Sequence, residues 1–329
     1  MRHSFSEDRY EEMVYRRCGR SGLRLPAVAL GCWYNFGHND DQRAMRKVLR
    51  TAFDHGICHF DLANNYGPPP GSAEDSVGRI MKHDFARHRE ELIISTKAGY
   101  RMWPGPYGDG GTRKYLVSSL DQSLKRLRLD YVDIFYHHRP DPRTPLCETV
   151  GALEQILRQG KALYVGISNY DAEQTIQACQ EMSSRDLQLT VHQARYSMFD
   201  RRIEDSLLTE TDRLGMGVVV YSPLEQGLLT DKYLDGVPKG SRAAKDWTNF
   251  DQEHLSEQRL QKVRRLSEIA RERGQSLAQM AVCWTLRDER VTTCLVGASR
   301  PEQVEENAAA LDDVEFTEEQ LAAIEEALA

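Results

Sequence analysis

The sequence predicts an α/β fold of the (β/α)8 TIM-barrel class, and three observations carry that prediction. Eight short apolar runs follow one another along the chain, amphipathic segments separate them, and the two longest irregular stretches follow strand ends. Most of the runs are apolar on both faces, as in LIISTK (92–97), DIFYHH (133–138) and VVVYS (218–222), which is how strands of a buried parallel sheet read. Eight strand–helix alternations point to a closed barrel, with an open doubly wound sheet as the competing arrangement. No compositional break divides the 329 residues, so 1–329 is expected to be a single domain.

In chain order, residues 13–26 (MVYRRCGRSGLRLP) read as a turn-linked hairpin placed to plug the barrel floor. The strands follow at 27–31, 59–62, 92–97, 132–137, 162–168, 187–192, 217–222 and 292–297. Between them, Met45, Val48, Leu49 and Ala52 recur at helical spacing, as do Leu116, Leu120, Leu124 and Leu127. Ser72 and Asp75 have the spacing of a capping box that opens another helix. Residues 99–112 (GYRMWPGPYGDGGT) and 223–255 are too long for ordinary βα connections. Both follow strand C-terminal ends, the face on which barrel enzymes build their sites.

Composition narrows the function. Lys and Arg number 43 against 50 Asp and Glu, a net charge of −7, which argues against a nucleic-acid partner. No apolar run approaches the ~20 residues that span a bilayer, so no membrane partner is expected. Residues 1–12 are polar and acidic, unlike a secretory leader, so the chain is expected in the cytoplasm. The cysteines at 18, 32, 58, 147, 179, 283 and 294 are scattered and never spaced C-x-x-C. They read as buried, reduced thiols, and no metal set is expected.

Four polar residues fall at the expected catalytic face: Asp61, Tyr66, Lys97 and His138. Singly each has a plain structural reading, since Asp caps helices, Tyr packs, Lys solvates and His is often structural. Together they make chemical sense. A Lys ending a buried-type strand wants a carboxylate partner, and Asp61 is available. A phenol titrates near ~10, too high for ready proton exchange at neutral pH, and a nearby ammonium is expected to lower it. His138 would donate a hydrogen bond to a carbonyl. A general acid aimed at a carbonyl oxygen implies a nucleophile arriving at carbon, and hydride from a cofactor fits. Neither G-x-G-x-x-G after a strand nor a P-loop occurs, so a nicotinamide cofactor would lie across the barrel mouth in a non-Rossmann mode.

The segments LGCW (30–33), HFDLANNYG (59–67), ISTK (94–97), DIFYHHRP (133–140), GISNY (166–170), YSPL (221–224) and GAS (297–299) carry a resemblance to the aldo-keto reductase superfamily over almost the whole chain. Residues 63–72, 98–111 and 221–229 resemble the branch that holds potassium-channel β subunits and bacterial L-glyceraldehyde 3-phosphate reductases, the reductases in particular. The resemblance implies that Asp61, Tyr66, Lys97 and His138 form the catalytic tetrad. It implies NADPH rather than NADH, held by Trp33, Asp61, Ser168, Asn169 and Gln193 at the nicotinamide, with Tyr221 stacked on the ring. Ser222, Pro223, Leu224, Gln226, Lys232 and Arg242 would grip the phosphates. Gly297, Ser299, Gln303, Glu306 and Asn307 would form the adenosine site, although 303–307 also reads as an ordinary helix start.

The chain departs from the family pattern in three places. Leu62 stands where many relatives have Thr, residues 68–71 lengthen the loop after Tyr66, and Ala298 and Ser299 occupy the region where many relatives place a phosphate-binding Lys. Lys232, Arg242 and Arg300 remain as grips. The substrate is expected to be a small carbonyl compound such as L-glyceraldehyde 3-phosphate or a methylglyoxal-like aldehyde. Trp33, Tyr66, Arg101, Trp103, His138 and Arg139 are the substrate candidates, with Arg113 and Tyr107 nearby, because guanidinium groups suit bidentate phosphate binding. A competing reading is a redox-sensing, β-subunit-like protein that binds NADPH with little turnover; a barrel hydrolase is a third. The branch also implies a homo-oligomer, a tetramer or larger.

Overall fold

The structure is a computed structural model that describes residues 3–234, 236–238 and 255–329. Strands β1 (Tyr15–Arg17) and β2 (Arg24–Pro26) form an antiparallel hairpin with Tyr15 opposite Pro26 and Arg17 opposite Arg24. Eight parallel strands follow: β3 (Val28–Gly31), β4 (His59–Asp61), β5 (Ile93–Ala98), β6 (Val132–His137), β7 (Ala162–Ser168), β8 (Val191–Arg195), β9 (Gly217–Tyr221) and β10 (Val291–Val296). Each pairs with the next, and β10 also pairs with β3, closing the barrel.

The sixth barrel strand begins four residues later than the expected 187–192. Asp186 turns at φ 56° after the preceding helix, and Leu187 to Thr190 form the lead-in. The strand itself is VHQAR, whose polar His192 and Gln193 are buried by their hydrogen bonds to Tyr170 and Asp61. Gln193, turned into the barrel, and His192, turned outward, break the apolar pattern that marks the other strands.

The helices α1 (Gln42–Asp54), α2 (Ser72–Ile80), α3 (Arg113–Leu127), α4 (Leu146–Arg158), α5 (Ala172–Ser183) and α6 (Leu207–Leu214) cover the outside, one after each strand from β3 to β8. Among the described residues, α7 (Glu257–Glu272) and α8 (Leu277–Leu286) lie between β9 and β10, and α9 (Pro301–Ala308) and α10 (Glu318–Leu328) follow. Capping boxes start α5 (Asp171 with Gln174), α8 (Ser276 with Gln279) and α10 (Thr317 with Gln320). The box expected at Ser72 and Asp75 does not form. Gly71, at φ 87°, occupies the cap position, and the Ser72 hydroxyl is buried without a partner. The Asp75 carboxylate instead accepts from Arg128 and pairs with Arg79 and His38.

Alternation along each strand sorts the apolar residues into two groups. Val28, Leu30, Phe60, Ile94, Phe135 and Val220 pack outward beneath the helices. Ala29, Ile134, Tyr136, Val191, Val219 and Leu295 face the axis and meet Cys18, Leu23 and Leu25 of the hairpin, which closes the floor as expected. The same alternation turns His59 and Asp61, Ser95 and Lys97, and Gln193 inward above that plug. Six cysteines are buried thiols, whereas Cys147 is exposed at the start of α4. Among the described residues no helix is long and apolar enough to cross a membrane, and no cluster of His, Cys, Asp or Glu has the makings of a metal site.

Candidate active site

Parallel register sets the centre. Asp61 ends β4 opposite Ser95 of β5, and two residues on, Lys97 lies opposite Tyr136 of β6. Lys97 is fully buried and Asp61 nearly so, and their Nζ and Oδ2 atoms are 2.5 Å apart. A buried charge persists only when paired and hydrogen-bonded, and both members are. Lys97 also donates to the Leu62 carbonyl at 2.6 Å and to the Tyr66 hydroxyl at 3.4 Å. Asp61 Oδ1 accepts from Ser95 Oγ at 2.6 Å and from Gln193 Nε2 at 3.1 Å.

His138 follows β6, and its backbone N–H donates to Ala98. Its ring meets Tyr100 edge-on at 4.6 Å and Tyr66 at 6.0 Å, while its Nδ1 is buried without a partner. Trp33 stacks on Tyr66 with centroids 5.7 Å apart. The four tetrad candidates therefore meet at one point of the barrel mouth.

Burial pushes the Tyr66 phenol well above its ordinary value, and the Asp61 charge adds to the rise. The lowering expected from Lys97 is not what this environment gives. Burial likewise depresses the Lys97 ammonium against the pull of Asp61. His138 falls well below the usual imidazole value, first through burial and then through the charges of Lys97 and Arg139. At neutral pH the centre thus holds a protonated phenol and a neutral imidazole.

A cleft of about 940 Å³ opens over this point. It is lined by Trp33, Asp61, Tyr66, His138, Asn169, Gln193, Tyr221, Ser222, Pro223, Leu224, Gln226, Lys232, Gly297, Ser299, Gln303 and Glu306, every one singled out by sequence. Lys97 lies beneath it. Ser168 and Asn307 stand just behind the wall, the first accepting from Asn169 and the second donating to the Gln303 carbonyl. Arg242 lies outside the described residues.

The residues after β9 are held in an uncommon backbone. Ser222, Glu225 and Gln226 have φ of 60°, 45° and 58°, and Asn169 across the mouth has 62°. Such conformations persist only where surroundings impose them. Buried Glu225 supplies the anchor, accepting from Arg195 and from Ser197 at 2.9 Å. Asn169 is similarly fixed: its amide donates to the His138 carbonyl and Ser168, and its oxygen accepts from Tyr221 at 2.7 Å.

Three of the six substrate candidates do not reach the cleft, nor does Arg113. Arg139 donates to the Gly99 carbonyl at 3.0 Å, pairs with Asp109 at 2.9 Å and lies over the Tyr100 ring. Trp103 packs on Tyr115, and Arg101 is exposed outside the lining. Arg113 turns away to the Gly151 carbonyl and Gln155. Conversely, Tyr34, Asn35, Asn65, Tyr100, Ser276 and Arg300 line the cleft. Of these, only Arg300 was singled out from sequence. Tyr100 lies in the long loop 99–112 and Asn65 directly before Tyr66, and that placement is their only mark in the sequence.

The cleft suits an elongated ligand with an aromatic end and an anionic end. Tyr221 presents a half-buried ring near Asp61, the turned backbone at 222–227 follows, and Lys232 and Arg300 lie farther along. Gln226 Oε1 is buried in the lining with no partner, an acceptor left for a ligand donor. These residues fit a nicotinamide dinucleotide.

Comparison with known proteins agrees. The profile of the Aldo/keto reductase family matches residues 27–329. The chain is 54% identical to L-glyceraldehyde 3-phosphate reductase of Escherichia coli O157:H7 over 326 residues, 98% of this chain and 94% of that protein. It is 53% identical to the protein of the same name from Escherichia coli strain K12, with the same coverage. A "probable voltage-gated potassium channel subunit beta" of Arabidopsis thaliana is 37% identical over 306 residues, 91% of this chain and 92% of that protein. With a closed eight-stranded barrel, a mouth cleft suited to a nicotinamide cofactor and relatives of this identity, the chain belongs to the aldo/keto reductase family of oxidoreductases.

Proposed function

We propose that this chain reduces a small aldehyde to its alcohol with NADPH, and that Tyr66 is the proton donor. The supporting observation is the saturation of Lys97. An ammonium has three protons, and here they go to Asp61, Leu62 and Tyr66. Tyr66 therefore accepts from Lys97, and its own proton is turned to the cleft. Tyr221, with Asn169 and Gln193 beside it in the cleft, would hold a nicotinamide, which when bound would supply the hydride.

The remaining chemistry belongs to the side chains. Neutral His138 donates one hydrogen bond to the carbonyl oxygen and polarises it. Tyr66 gives its proton to that oxygen as charge develops, a transfer downhill because an alkoxide is far more basic than a phenol. Lys97, held by Asp61, stabilises the phenolate left behind. Trp33, Tyr34 and Tyr100 wall the acceptor end and limit water.

The preference for NADPH rests on Lys232 and Arg300 as cations for the additional phosphate, with Ser299, Gln303 and Glu306 around the adenosine and Arg242 as a further grip. The substrate reading rests on the bacterial relatives. L-Glyceraldehyde 3-phosphate and methylglyoxal-like aldehydes are the proposed class, although Arg139 would have to leave Asp109 to meet a substrate phosphate. We read residues 1–329 as one domain in a cytoplasmic homo-oligomer, and light scattering of the purified chain tests the assembly.

Cofactor titration by intrinsic fluorescence, followed by NADPH oxidation against an aldehyde panel, tests the assignment. Steady turnover is expected, with glyceraldehyde 3-phosphate reduced better than 4-nitrobenzaldehyde. Equal rates on the two would sink the phosphorylated substrate. A single slow turnover with tight cofactor retention would favour the sensor reading of the β-subunit relatives.

A further inference from the structure

Beneath Asp61 lies a second layer of polar side chains that the proposed chemistry does not use. His59 and Ser95 are fully buried, on β4 and β5, two residues below Asp61 and Lys97. His59 Nε2 is 2.9 Å from Ser95 Oγ, and Ser95 Oγ is 2.6 Å from Asp61 Oδ1.

The direction of these bonds follows from valence. An ionised carboxylate only accepts, so the single hydroxyl proton of Ser95 goes to Asp61. Ser95 must then accept from His59, which fixes the imidazole as the tautomer protonated on Nε2. His59 Nδ1 is left as a buried acceptor without a partner. Burial keeps the ring neutral, its value lowered to about 4, so that tautomer persists through the neutral range. An apolar side chain would satisfy this layer better than an imidazole with one orphaned nitrogen. The arrangement is explained if the imidazole serves to orient the serine.

We propose that Ser95 and His59 are positioning residues that hold the Asp61 carboxylate, and through it Lys97, in register with Tyr66. This rests on Tyr66 being the proton donor. Asp61 Oδ2 is bound by Lys97 alone among its side-chain contacts, whereas Oδ1 is bound by Ser95 from below and by Gln193 from across the barrel. Without Ser95 the carboxylate is held on that side by Gln193 only. It then loses its shortest restraint on Oδ1 and can swing about the Gln193 contact, and the ammonium follows it. The Lys97–Tyr66 contact, at 3.4 Å, is the longest of the three that Lys97 makes, so it is the first to be lost.

The test compares Ser95→Ala, Ser95→Thr, His59→Gln and His59→Leu in the full chain, alone and combined with Tyr66→Phe. Single-turnover NADPH oxidation is followed across pH, and the NADPH dissociation constant by fluorescence. Ser95→Ala and His59→Leu are expected to slow the chemical step on the order of tenfold, as supporting-layer changes do elsewhere. Cofactor affinity stays within about twofold. The pH profile of the chemical step shifts as well, because the Lys97 ammonium no longer sits squarely on the Tyr66 oxygen. Ser95→Thr keeps the hydroxyl and His59→Gln places an amide N–H where Nε2 was, so both retain most of the rate.

In the Tyr66→Phe background, Ser95→Ala is expected to add no further loss. An unchanged rate and pH profile in Ser95→Ala, with Tyr66→Phe inactive, overturns the positioning role while leaving the proton donor intact. Equal losses in Ser95→Ala and Ser95→Thr overturn it too. Near-normal turnover in Tyr66→Phe removes the donor assignment itself. Should Ser95→Ala not fold, Ser95→Cys, a weak donor of similar size, takes its place with the same outcomes.

Discussion

Lys97 Nζ stands 3.4 Å from Tyr66 Oη, with its other protons given to Asp61 and to the Leu62 carbonyl. The ammonium has no freedom to serve any other group. Its charge also reaches His138, but of its three hydrogen bonds only the one to the phenol oxygen joins the proton donor to the groups that restrain Lys97.

Replacing Tyr66 by Phe removes the transferable proton and little volume. Turnover should fall by roughly 10²–10⁴-fold, the usual worth of a positioned acid, while NADPH affinity is unchanged. Stopped-flow NADPH oxidation alongside fluorescence titration measures both, and a variant within a few-fold of the parent would refute the assignment.

The Asp61–Lys97 pair makes a separate stability prediction. Lys97→Met strands a buried carboxylate and should cost about 3–5 kcal/mol, whereas the double variant Asp61→Leu/Lys97→Met should cost clearly less than the sum of its singles. Urea unfolding of the four proteins decides it; simple additivity would mean that the pair is not coupled.

Among the described residues, four buried imidazoles respond to acid. His59, His137 and His192 are lowered to about 4 and His138 well below the ordinary value, in each case chiefly by burial. In the unfolded chain the same groups titrate near ~6.5. Between those values the unfolded state binds more protons, so stability rises with pH there. The stability is fully present above about pH 6.5 and is lost as pH falls towards 4, at up to ~1.4 kcal/mol per pH unit for each group. Urea titrations at several pH values should show uptake of close to four protons on unfolding near pH 5. Uptake of one or none would contradict the burial of these rings.

Gly99 governs where His138 sits. A Cβ built there would lie 2.9 Å from His138 Cβ and 3.1 Å from its backbone nitrogen. Gly99→Ala should displace the imidazole and slow turnover about tenfold, since small misplacements at a reacting centre are costly. Gly22→Ala, which meets nothing within 4 Å, is the control. Parent-like kinetics in both would show that His138 has no fixed place.

The sequence disclosed the barrel because strands buried on both faces read as unbroken apolar runs. It disclosed Asp61 and Lys97 because charges at the ends of such runs need each other. It misplaced the start of β8, where Gln193, facing the axis, and His192, facing outward to the Tyr170 carbonyl, interrupt the apolar run. Arginine types were visible but not their partners: Asp109 holds Arg139, and Gly151 with Gln155 holds Arg113. His59 and Ser95 escaped notice because a histidine and a serine inside apolar strands look like ordinary core positions until the neighbouring strand is placed beside them.

The β1–β2 hairpin has a kinetic consequence. With Cys18, Leu23 and Leu25 filling the barrel's lower end, the mouth is the one passage to Asp61 among the described residues. Two reactants that share a single doorway must queue, the deeper occupant arriving first and departing last. On the proposed function, the floor plug would favour binding in sequence, cofactor before aldehyde, and would make product release a step that the architecture can delay.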